Sequence, residues 1–170
     1  MKLFGSKVAF LPLGGSGKDW QQEGCAAYQQ MASRLRTAGE MAKQEGITIG
    51  IRTGMGAKFD KKLLKKVGSS QIKVYYNFQD AADHHRDICK ELRKLGAQRI
   101  VQIHASNTDS VNLQEDPEIN LPKIRKTLDK MKWSGWLVVE RSRDVKRVRD
   151  VKYNFGRNIA YLKRSEEHTS

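Results

Sequence analysis

Four residues of different chemistry, Arg52, Asn77, His104 and Glu140, each stand where a β-rich run gives way to polar sequence. A guanidinium, a carboxamide, an imidazole and a carboxylate brought to one place could bind a polar ligand and move a proton on it. The clearest case is Ile100-Val-Gln-Ile-His-Ala-Ser-Asn-Thr-Asp109, a short buried strand over Ile100–Ile103 that delivers His104 and then breaks into a polar loop. Polar groups at the carboxyl ends of parallel strands are how an α/β protein builds an active site. The repetition of that pattern along the chain is the main functional signal.

The elements that must position these groups can be read from periodicity. Strands are expected at Lys7–Leu13, Ile47–Ile51 (ending at Arg52), Ile72–Phe78, Ile100–Ile103 and Gly135–Glu140. Helices are expected between and after them, at Gln21–Glu45, Lys61–Val67, Ala81–Leu95, Leu121–Met131 and Val148–Leu162, with a long loop over Ser106–Asn120. In the first helix Tyr28, Met31, Leu35, Ala38 and Ala42 recur at intervals of three and four, and Gly46 follows as its stop. Pro122 sits in the first turn of its helix, where a missing N–H costs nothing. Strand–helix–strand alternation gives parallel strands, and near-continuous apolar strands suit a covered sheet. Five strands fit either an open doubly wound sheet or part of a (β/α)8 barrel, for which ~250 residues is typical. The pattern alone leaves both open.

Composition narrows the classes. No apolar run in the 170 residues approaches the ~20 needed to span a bilayer, and Met1–Gly5 is too short for a secretory apolar segment. Cys25 and Cys89 lie in separate helical stretches without metal-type spacing and read as reduced thiols, which places the chain in the cytoplasm unless upstream sequence carries an export signal. The net charge of +13 is concentrated in Lys58–Lys66 and Arg141–Arg149. Aromatic residues are not interleaved there, so these stretches read as solvated helix faces rather than a nucleic-acid groove. Gly14–Gly17 follows a strand, but Pro12 and Asp19 stand where a P-loop needs glycine and a hydroxyl, so it reads as a tight turn. His84 and His85 are expected on different sides of a helix, with Asp80 and His84 on its solvated surface.

With the strand ends laid out, the chain resembles the sugar phosphate isomerase/epimerase family of xylose-isomerase-like (β/α)8 barrels. The resemblance rests on Val74-Tyr-Tyr-Asn-Phe-Gln-Asp80, Asp87-Ile-Cys-Lys-Glu-Leu92, Ile100–Asp109 and Trp133-Ser-Gly-Trp-Leu-Val-Val-Glu-Arg-Ser-Arg-Asp144. It implies a partial TIM barrel over residues 1–163, with five parallel strands corresponding to strands four to eight. Exposed strand edges would then invite self-association. Arg164–Ser170 breaks composition with the helix before it and is expected to be a non-native tail.

The resemblance also implies a divalent metal (Mn, Mg, Co or Zn) that grips the oxygens of a sugar, held by acidic residues and a histidine at the strand ends. His104 matches the histidine ligand and Glu140 the last glutamate, which is also the proton-moving group. Asn77 stands where an aspartate is usual, as a neutral ligand or substrate contact. Arg52 stands where a glutamate is usual, and a cation there repels a metal. It is expected to meet a substrate anion, to pair with Glu140 in place of the metal, or to form a structural salt bridge. Arg141 and Arg143 could partner Glu140, and Arg143 could otherwise meet substrate. The implied activity is aldose–ketose isomerisation or epimerisation of a sugar or sugar phosphate. The alternatives are a metal-free sugar- or anion-binding relative and, ranked last, an apurinic-endonuclease-like enzyme.

Overall fold

Residues 5–14 and 18–167 of the chain are described by a computed structural model. Five strands, β1 (Val8–Pro12), β2 (Thr48–Arg52), β3 (Ile72–Asn77), β4 (Ile100–His104) and β5 (Leu137–Val138), form one sheet in sequential order. Every neighbouring pair is parallel. A doubly wound sheet reverses its strand order at a switch point; this one never does. With its helices it is a half-barrel, a partial TIM-barrel-like α/β fold, and the choice left open by periodicity is settled in favour of the barrel.

The helices are α1 (Ala26–Gln44), α2 (Ala57–Val67), α3 (Phe78–Ala82), α4 (Ile88–Leu95), α5 (Leu121–Lys130) and α6 (Val151–Glu167). Their apolar faces close on one side of the sheet. Leu35, Leu63, Val67, Leu92, Leu95 and Leu128 pack in one core with Ile51, Val74, Tyr76, Ile100 and Ile103 of the strands. The lysines of α2 lie outside, as its amphipathic spacing requires: Lys58, Lys61, Lys62, Lys65 and Lys66 are all exposed while Leu63, Leu64 and Val67 are buried.

Several boundaries differ from expectation, among them the start of α2, at Ala57 rather than Lys61. α1 begins at Ala26 rather than Gln21, because the Cys25 thiol accepts from the Tyr28 N–H and caps the helix there. The helix expected over Ala81–Leu95 is two helices. Asn77 caps α3, Asp87 caps α4, and His84 and His85 fall in the turn between them, with His85 at φ 51°. The last strand shrinks to two residues. The last helix starts at Val151, after Asp150 accepts from the Tyr153 N–H, and continues through Glu167 into the stretch expected as a tail. Gly15–Gly17 of the glycine-rich turn and His168–Ser170 lie outside the described residues.

On the concave face of the sheet an aromatic layer underlies the strand ends. The Tyr75 ring centroid lies 4.4 Å from that of His104 and 4.8 Å from that of Phe10. Gly50 makes room for it: a β-carbon there would sit 2.8 Å from Val101 Cγ1 and 3.0 Å from Tyr75 Cδ2. The Gly50→Ala variant is therefore expected to lose about 1–3 kcal/mol of stability through overpacking, read as a lower urea midpoint. An unchanged midpoint would show that the layer yields freely.

Candidate functional site at the carboxyl ends of the strands

Parallel strands in close register bring their last residues to one rim. Arg52 is paired with Pro12 across β1 and β2, Asn77 with His104 across β3 and β4, and His104 with Val138 across β4 and β5. Glu140 follows two residues later, its N–H donated to Ser106 Oγ at 3.3 Å. The structure thus brings the imidazole, the carboxamide and the carboxylate together. His104 Nδ1 lies 3.4 Å from Glu140 Oε2 and 3.5 Å from Asn77 Nδ2. That nitrogen can give a hydrogen to the carboxylate or take one from the amide.

The His104 ring is buried against Tyr75 and Phe10, whereas Glu140 is half exposed. Burial lowers the His104 pKa below its ordinary value, and the nearby Arg52 adds to this against the opposing pull of Glu140 and Asp80. His104 is therefore neutral at physiological pH.

Arg52 does not pair with Glu140. Its Nε and one Nη donate to the two oxygens of Asp80 at 2.9 and 2.6 Å, a bidentate pair between the end of β2 and α3. The Asp80 hydrogen bonds raise the Arg52 pKa, with Glu140 contributing at longer range, so the guanidinium stays charged beside the rim. Asp80 was expected on a solvated helix surface; instead it is mostly buried and holds the site's cation. The signal was present in the spacing: Asp80 lies three residues past Asn77, in the first turn of the helix that Asn77 caps.

Arg141 and Arg143 do not partner Glu140 either. Arg143 pairs in a bidentate fashion with Asp109 at 2.9 and 2.7 Å, and Arg141 Nε donates to the same carboxylate at 3.2 Å. The Arg143 hydrogen bond holds Asp109 below the usual carboxylate range. The long loop after β4 is pinned from below by polar residues that hydropathy passes over. Asn107 N–H donates to Ser142 Oγ, Asn158 Nδ2 donates to the Ser142 carbonyl, and Asn158 Oδ1 accepts from the Leu113 N–H. All three side chains are buried.

The divalent metal implied by the resemblance does not fit this donor set. Asn77 Oδ1 accepts the Gln79 N–H at 2.8 Å as a helix cap. Arg52 puts a positive charge next to His104 and Glu140. Among the described residues no three His, Cys, Asp or Glu side chains gather as ligands.

The chain matches the xylose isomerase-like TIM barrel family over residues 1–165, and it belongs to that family. No curated protein sequence matches it. Among solved structures it is similar to a xylose isomerase domain protein from Planctomyces limnophilus, with 13% identity and a TM-score of 0.78 over 96% of this chain and 61% of that one. It is also similar to a D-psicose 3-epimerase solved in the presence of D-fructose, with 14% identity and a TM-score of 0.70 over 84% of this chain and 58% of that one. A third likeness is to an AP endonuclease, family 2, from Brucella melitensis, with 17% identity and a TM-score of 0.63 over 79% of this chain and 57% of that one. At these identities the likeness concerns the fold. The chain spans about three fifths of the first two structures' length. None of its helices is long and apolar enough to cross a membrane, among the described residues.

Two outcomes follow from the geometry. Asp80→Asn leaves Arg52 half-buried without its counter-charge and is expected to cost about 1–3 kcal/mol, measured by urea denaturation. His104 makes a separate contribution. Its folded pKa is lowered, so the unfolded chain binds the proton first and stability falls as pH drops from about 6.5 through the folded value. The His104→Gln variant should lose less stability than the parent between pH 8 and pH 5; equal losses would place the acid sensitivity elsewhere.

Proposed function

We propose that this chain is part of a sugar or sugar-phosphate isomerase/epimerase, in which residues 1–163 supply strands four to eight of the barrel. The observation that supports it is the Glu140 carboxylate 3.4 Å from the buried His104 at the strand ends, with the charge of Arg52 acting on both. Glu140 removes the proton from the carbon next to the substrate's carbonyl. The electron pair moves onto the carbonyl oxygen, and the developing negative charge is met by the Arg52 guanidinium rather than by a metal. Asp80 keeps Arg52 in place during that change. Return of the proton to the same carbon restores the starting sugar, or gives its epimer when a second acid delivers it from the opposite face; delivery to the former carbonyl carbon, with the hydroxyl proton moving between the two oxygens, gives the isomer. Asn77 and Arg143 contact hydroxyl or phosphate oxygens of the ligand, and neutral His104 orients Glu140.

A second reading is a sugar- or anion-binding relative without turnover. It is favoured by the closed Arg52–Asp80 pair, which already satisfies two of the cation's donors.

The deciding experiment follows solvent deuterium entering the carbon-bound positions of a panel of ketoses, aldoses and their phosphates. Exchange in the parent, reduced about 10²–10⁴-fold in Glu140→Gln with binding retained, supports the enzyme. Binding without exchange selects the second reading, and neither binding nor exchange overturns both. A parallel manganese titration compares the parent with Arg52→Glu. The variant should gain metal affinity; no gain would place the metal-facing position elsewhere.

A further inference from the structure

Behind the Arg52–Asp80 pair lies a cavity of about 20 Å³ that the rim chemistry does not use. Arg52, Asn77 and Asp80 line it together with Asp60, Tyr76, Arg86 and Glu91. Three side-chain atoms buried there have no hydrogen-bond partner among the described residues: Tyr76 Oη, Arg86 Nε and Glu91 Oε2. Arg86 Nε and Glu91 Oε2 face each other at 3.4 Å, close enough to attract but without a hydrogen bond. A buried polar atom left unpaired is costly, and a cavity of this size holds one water if it offers two to four polar partners. The three atoms offer a donor, an acceptor and a hydroxyl that can do either. A cation there would meet the Arg86 guanidinium, so water is the fitting occupant.

The same pocket has one carboxyl too many. Asp80 is matched by Arg52, and Glu91 by Arg86. The Asp60 carboxyl, almost wholly buried on α2, meets the Thr53 hydroxyl at 2.5 Å and has no ion-pair partner among the described residues. A buried carboxylate without a cation is costly and is relieved by taking up a proton. Burial pushes its pKa up to about 7, with Glu91 and Asp80 also raising it and Thr53 and Arg86 lowering it. Among the described residues no other cation of the packed elements is paired with it. Arg36 of α1 is committed to the Lys66 and Val67 carbonyls at the far end of α2, and Lys62 to Glu23.

We propose that this cavity is a binding site for a single water joining Tyr76, Arg86 and Glu91, and that Asp60 beside it completes a network that positions Arg52. The links are short. Thr53 follows Arg52 in the chain and bonds Asp60. Arg86 donates to the carbonyls of Gly54 and Asp80, at 3.2 and 2.7 Å, and so holds the loop after β2 and the helix that carries Asp80. Gly56, at φ 88°, keeps the wall thin, since a β-carbon there would lie 3.1 Å from Arg86 Nε. When Asp60 ionises, a third negative charge competes for the two guanidiniums, and Arg52 shifts. The water site stands independently of any ligand; the consequence for catalysis rests on the reading of Arg52 as a substrate contact.

The test is NMR on the full chain without ligand, observing the carboxyl carbons and the arginine Nε–H groups across pH 5–9. The Asp60 carbon should titrate near pH 7, the Arg52 Nε–H signal should shift with the same midpoint, and a water cross-peak should appear at the Arg86 Nε–H. In Asp60→Asn the Arg52 step should vanish while the water remains; in Tyr76→Phe the water cross-peak should be lost. Asp60 titrating in the ordinary carboxylate range, an Arg52 signal with a different midpoint, or no water at Arg86 would each overturn the proposal. The first and second are read on the parent, so a variant that fails to fold does not rescue it. Because no sugar is added, failure to find a substrate leaves this result untouched. Where a sugar ligand is found, its affinity should fall across the same pH step in the parent and stay level in Asp60→Asn.

Discussion

The bidentate pair between Arg52 and Asp80 ties the end of one strand to the helix that follows the next. Arg86 then anchors the backbone on both sides of that tie, through the carbonyls of Gly54 and Asp80. The loop after β2 and the start of α3 are thereby tied to one another. The consequence reaches His104, because Asn77 is fixed twice, by its place at the end of β3 and by capping α3, and its amide then faces the imidazole. A guanidinium with one well-made carboxylate partner is a stable fixture; it is also a fixed positive charge, and the chemistry of the rim has to be compatible with it.

That constraint bears on the proposed activation of a carbonyl. A divalent ion and a guanidinium both stabilise negative charge on oxygen, but they repel each other at close range. The rim already contains the guanidinium, whose charge acts on the histidine that would serve as a ligand. The carboxylate best placed to bind metal faces that histidine at 3.4 Å and remains half exposed. Exposure suits a base that must meet an incoming substrate. It suits less well a ligand locked in a closed shell, whose partners are usually buried and hydrogen-bonded.

The five parallel strands and the residues that end them were legible in sequence because both follow from short-range rules, whereas the half-barrel itself came only from the family resemblance, the pattern fitting an open sheet equally well. Alternating strands and helices force parallel pairing, and parallel pairing puts residues such as Asn77 and His104 side by side. The lysines of α2 fell outside because helical periodicity leaves them no other choice. Partners were harder. Asp80 was hidden because its spacing to His84 suggested a surface helix, and nothing local announces a break at His85 except the capping aspartate, Asp87. The Arg143–Asp109 pair joins residues 34 apart, and the Asn107–Ser142–Asn158 ties join three separate segments. Such contacts depend on where loops land, and hydropathy gives polar residues no direction. Asp60 is the extreme case: on a lysine-rich helix a lone aspartate reads as solvated, yet the helix rotation that buries Leu63, Leu64 and Val67 buries Asp60 with them.

The rim does not depend on how the sheet is closed. Its groups come from β2 to β5 and their loops, with Phe10 of β1 as packing beneath His104. β1 and β5 are the outer strands of the described sheet, and Phe10, Leu11 and Trp136 beside them are exposed apolar side chains. Apolar surface at a sheet edge is a place where further strands or another chain can add. Addition there would wall in Glu140 and His104 without altering which residues meet across the register. Enclosure would lower the local dielectric, strengthening the pull between the carboxylate and any cation near it. It would also hold His104 more firmly in its neutral form, because burial already dominates its titration. The polarity of the site is thus set within these strands, while its strength is set by what covers their edges.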